Sequence, residues 1–81
     1  MARRTFPVWT PDQGTIRLDP DGDDKRLRYY LQEVLDQGLW RQFCRFPPAV
    51  VARLLPGLVI PSHTRKLIGI WIEEKTRARA A

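Results

Sequence analysis

DKRLRYYLQEVLDQG, residues 24–38, decides the fold. Leu27, Tyr30, Leu31, Val34 and Leu35 recur at the spacing of one helical face, while Lys25, Arg26, Arg28, Glu33 and Asp36 form a mixed-charge face suited to water. Asp23 or Asp24 supplies the side-chain oxygen that an N-cap needs, with a charge that complements the helix dipole. Gly38 ends the helix. Tyr29 and Tyr30 are adjacent and point about 100° apart, so only one can be central to the core. Tyr29 is therefore a candidate for contact with a partner.

Working outward, LWRQFCRF (39–46) predicts a short helix with Leu39, Trp40, Phe43 and Cys44 facing inward. Pro47-Pro48 must end it, because a residue before proline avoids the α region. Pro48 then suits the first turn of the next helix, whose buried side is Val51, Leu54 and Leu55, and Pro56-Gly57 stops it. The last element, SHTRKLIGIWIEEKTRARAA (62–81), reads in two ways. Leu67, Ile68, Trp71 and Ile72 fit a helix capped by Ser62. Alternation of Ile68, Ile70 and Ile72 around Gly69 instead fits a strand, pairing with LVIP in a C-terminal hairpin of winged-helix outline. Five large apolar side chains in six positions exceed what one small domain covers, which points to a homodimer or a host complex.

Upstream, residues 1–22 carry three prolines and several turn-forming pairs. Phe6, Val8 and Trp9 can pair with residues 15–18 across Gln13-Gly14, but Pro7 and Pro11 remove ladder donors. The favoured expectation is an extended arm over residues 1–22, with Trp9 packed on its own domain or a neighbour. A compact domain over 23–75 and a flexible basic tail over 76–81 complete the expected organisation. The fold class is mainly α, a small helix-turn-helix-like domain of three to four helices, with a short N- or C-terminal β-hairpin as the open alternative.

Eighty-one residues form one domain that buries only roughly 60–65% of its unfolded surface, so the core is thin. A hydrophobic share of 43% still places the chain among globular proteins. One cysteine cannot form an internal disulfide, no apolar run approaches the roughly 20 residues of a membrane span, and MARRTFPVWTP lacks an apolar leader. These features set the expectation of a cytoplasmic protein without membrane contact.

Catalytic and metal signatures are missing from the sequence. His63 and Cys44 are single, and Cys44 reads as a small core residue. Asp19 to Asp24, DPDGDD, superficially resembles a calcium loop, but Pro20 intervenes and Tyr30 stands where the twelfth-position glutamate belongs. There is no Gly-rich phosphate loop and no nucleophile–base pair. The chain is expected to be non-enzymatic, with no cofactor and no small-molecule substrate.

The net charge of +5 and pI of 10.1 favour an anionic partner, and eleven of the fourteen basic residues are Arg. The charge rises from neutral over residues 1–22 to +4 over 47–81.

WRQFCRFPPAVVARLL, residues 40–55, resembles the two-helix unit of helix-turn-helix DNA-binding proteins. The following VARLLPG and TRKLI resemble the passage to the next helix in small bacterial repressors. The resemblance implies that Arg53 reaches a base or phosphate, and that Arg45, Arg65 and Lys66 hold the backbone of the nucleic acid. Arg41 stands where that family prefers Ala and Arg45 where it uses Gly. The recognition surface would be Pro47, Pro48, Ala49, Val50 and Ala52, which is poor in hydrogen-bonding groups and better suited to protein. Two functions follow. One is an adaptor or accessory subunit of a larger, nucleic-acid-containing or protein assembly, anchored by Trp9, Trp40 and the LIGIWI segment with Trp71, and with Tyr29 as a further contact. The other is a dimeric transcriptional regulator that binds DNA.

Overall fold

The computed structural model describes residues 5–80. Its elements are β1 (Phe6–Thr10), β2 (Gly14–Leu18), α1 (Asp24–Asp36), α2 (Trp40–Phe43), α3 (Pro48–Leu54), a 3-10 turn (Leu55–Gly57) and α4 (Ser62–Ala80). The chain is mainly α with an N-terminal β-hairpin, and the C-terminal element is a helix. Residues 76–80, expected as a flexible tail, continue α4.

Of the stretch expected as an extended arm, residues 6–18 form a paired hairpin, and residues 1–4 lie outside the described residues. β1 and β2 run antiparallel with Phe6 opposite Leu18, Val8 opposite Ile16 and Thr10 opposite Gly14. Phe6, Val8 and Thr10 alternate onto the buried face together with Leu18, so pairing removes three apolar side chains from water. Gly14 turns the hairpin at φ +68, a conformation that disfavours side chains. Pro7 is tolerated for a geometric reason. The Trp9 N–H points away from β2 to Gln42 Oε1 at 2.9 Å, and Pro7, two residues earlier, directs its missing donor to that same open edge.

α1 follows its sequence pattern. Asp23 caps it by accepting from the Lys25 N–H at 3.0 Å, and Leu27, Tyr30, Leu31 and Val34 are buried. Gly38, at φ +68, reverses the chain into α2. The Tyr30 hydroxyl donates to Gln13 Oε1 at 3.1 Å, which ties the hairpin turn to α1.

The core closes where Phe43 and Phe46 meet the hairpin, α1, α3 and Ile68 of α4. Phe6 and Phe46 pack edge to face with centroids 5.0 Å apart. Two inward assignments, Cys44 and Trp40, and one outward assignment, Val50, are corrected here. α2 is a single turn with room for one core side chain, Phe43, and Phe46 fills the space expected of Cys44, which is exposed. Trp40 stacks on Phe43 from outside and stays 50% exposed. Val50, expected on an outer recognition surface, is buried with Val51 and Leu54.

Candidate interaction surface

The three tryptophans are linked pairwise, Trp9 to Trp40 by a shared groove and Trp40 to Trp71 by packing on one ring, Phe43. Trp9 sits on the outward-pointing positions of β1, 44% exposed, because Val8 and Thr10 take the inward ones. The Gln42 side chain fixes the Trp9 backbone to α2, so Trp9 and Trp40 line one groove with Gly38, Leu39 and Arg41. Trp40 stacks on Phe43 at 4.7 Å, and Trp71 of α4 tilts on the same ring at 4.8 Å. Buried Phe43 thus carries two partly wet indoles, and the hairpin brings the third, Trp9, beside Trp40.

A second groove, about 560 Å³, runs between α1 and the segment after the 3-10 turn. Lys25, Arg28, Tyr29, Glu33 and Val59 line it, with cations and carboxylates mixed. Tyr29 is 60% exposed and packs edge to face on Tyr30. Its groove shares no lining residue with that of Trp9 and Trp40, and Trp71 lines neither groove but meets the Phe43 ring on which Trp40 stacks.

The four cations assigned to nucleic acid do not form one set. Arg65 donates to the Leu55 and Leu58 carbonyls, both at 2.7 Å, and caps the end of the 3-10 turn. Arg53 donates to the Pro20 carbonyl at 3.0 Å and pairs with Asp24 at 2.9 Å. Arg45 and Lys66 are exposed, and their side chains have no hydrogen-bond or ion-pair partner among the described residues. Only these last two keep a free charge for phosphate.

Among the described residues no group of three or more His, Cys, Asp or Glu is placed to hold a metal ion, and no helix is long and apolar enough to cross a membrane. Neither groove contains a His or Cys. The sequence reading counts Trp40 among the anchors although it also turns it inward, and it misses Gln42, which fixes the Trp9 backbone. The brevity of a helix squeezed between Gly38 and Pro47 is the signal that α2 has too few inward positions for Leu39, Trp40, Phe43 and Cys44 together.

These features define the class only as a small helical domain with a hairpin and a tryptophan-rich surface. No family model, no curated protein and no solved structure matches the chain.

Proposed function

We propose that this chain is a small non-enzymatic protein-binding module, an adaptor or accessory subunit of a larger assembly. The observation that carries the proposal is the packing of Trp40 and Trp71 on Phe43, with Trp9 and Trp40 lining one groove and each about half exposed. Tryptophan is the side chain whose exposure forgoes the most burial, and it is enriched at the energetic centres of protein interfaces. Here the indoles are held by a paired strand, a stacked ring and a long helix, so little conformational freedom remains to be lost on binding.

The regulator reading keeps support from the charge of the chain and from the free cations Arg45 and Lys66. Against it stand the burial of Val50 and the internal bonds of Arg53 and Arg65, which leave the surface of α3 poor in donors.

Affinity capture from a lysate of the source cells, with and without nuclease, separates the two. A protein retained after nuclease and at raised salt, and lost from Trp40→Ala and Trp71→Ala baits, supports the adaptor. A polynucleotide whose retention falls steeply with salt, and less steeply after Arg45→Ala or Lys66→Ala, replaces it with the regulator.

A further inference from the structure

α4 buries less of its apolar surface than its sequence offers. Ile68 is fully buried and Trp71 and Ile72 are half-buried, whereas Leu67 and Ile70 are 59% and 53% exposed. The exposed pair belongs to a longer row. His63, Leu67, Ile70, Glu74 and Arg77 follow one another at alternating spacings of four and three residues, and all five are exposed. That spacing is the seam of a two-stranded coiled coil. Lys66 and Glu73, seven residues apart, flank it on one side, and both are exposed with no ion-pair partner among the described residues.

We infer that this face of α4 pairs with the same face of a second copy of the chain, antiparallel, about a two-fold axis. The charges choose both occupant and direction. In the antiparallel register Leu67 packs against Ile70 of the second copy, and His63 meets Glu74 in the layer outside. Lys66 then lies beside Glu73 of the second copy, and the axis repeats each pair. A parallel pair would set Glu74 on Glu74 and Arg77 on Arg77, which is repulsive. Helix α4, 19 residues and so about 28 Å long, is long enough for all these layers. Two apolar layers fall short of the roughly 800 Å² per partner of a stable complex, so the dimer is a reversible one, with a Kd on the order of 10 μM.

The inference does not rest on a protein partner, and it is tested on the purified full chain alone. Sedimentation equilibrium from 1 to several hundred μM should show a monomer–dimer equilibrium. Leu67→Glu and Ile70→Glu should each leave a folded monomer, judged by circular dichroism, because both side chains are largely in water already. Lys66→Glu should weaken the dimer about tenfold by setting like charges side by side at two symmetric places. Adding Glu73→Lys to that variant should restore it. Because the two positions are too far apart to pair within one helix, recovery reports contact between copies. A chain that stays monomeric throughout the range overturns the inference. So does a dimer that survives Leu67→Glu, or one in which the Lys66 and Glu73 reversals act independently.

Discussion

Gln32 holds Val59 by both halves of its backbone. The Val59 N–H donates to Gln32 Oε1 at 2.8 Å, and Gln32 Nε2 donates to the Val59 carbonyl at 2.9 Å. A side-chain amide here stands in for one residue of a neighbouring strand. It is needed because residues 58–60 are extended with no strand beside them, between buried Leu58 and half-buried Ile60, while Val59 itself is 84% exposed. Nε2 also donates to Asp36, so the amide is held in one orientation. Replacing Gln32 with Ala should cost about 1 kcal/mol, since these bonds are exchanged with water near the surface. For a domain of this size the melting temperature should fall by about 4–8 °C in a thermal circular dichroism scan. Gln32→Glu should be no better, because a carboxylate accepts from the Val59 N–H but repels its carbonyl and Asp36. An unchanged melting temperature for either variant would contradict the bridging role.

Two glycines should respond to alanine with opposite signs. Gly38 sits at φ +68, where a Cβ is strained, so Gly38→Ala should destabilise by about 1 kcal/mol although nothing crowds the site. Gly69 lies in the middle of α4, and a Cβ built there meets nothing within 4 Å. Gly69→Ala should therefore stabilise by about 0.5–1 kcal/mol, the difference in helix propensity. Urea midpoints at constant slope would measure both, and equal signs would refute the assignment.

How far the sequence could be read follows from how locally each element is determined. α1 was plain because its cap, its apolar face and its closing glycine all lie within sixteen residues and agree. The hairpin was ambiguous because Pro7 argues against a strand unless its missing donor faces the open edge, which depends on where Gln42 lies, thirty-five residues away. The last helix carried contradictory local signals, β-branched residues and a glycine against a capped helical face. Packing of Ile68 into the core decides it, with Trp71 against Phe43. The surface was the least legible part. Arg53 and Arg65 look like free cations in one dimension, and the Pro20, Leu55 and Leu58 carbonyls that engage them come together only on folding.

Those engaged arginines make the last prediction, which bears on any mutational search for nucleic acid. The Arg65 guanidinium forks onto the carbonyls of Leu55, which opens the 3-10 turn at the end of α3, and Leu58, which follows it. This partly buried geometry also places positive charge at the end of α3. Arg65→Ala should cost about 2 kcal/mol, because two charge-assisted bonds go and the carbonyls are left under-satisfied. Arg65→Lys should recover less than half, since an ammonium cannot reproduce the fork. Arg53 differs. Its pair with Asp24 is about half exposed on both sides, so Arg53→Ala should stay within about 1 kcal/mol of the parent. At concentrations that keep the chain monomeric, Arg45→Ala and Lys66→Ala should be neutral to within about 0.5 kcal/mol, because neither side chain has a partner within the chain among the described residues. Chemical denaturation of all five variants would rank them Arg65→Ala, Arg65→Lys, Arg53→Ala, then the two neutral ones. If Arg65→Ala were as stable as Arg45→Ala, its fork would not be structural and Arg65 would return to the pool of phosphate contacts. If the ranking holds, any loss of polynucleotide affinity in Arg65→Ala reports a weakened fold, and only Arg45 and Lys66 can be read as contacts to phosphate.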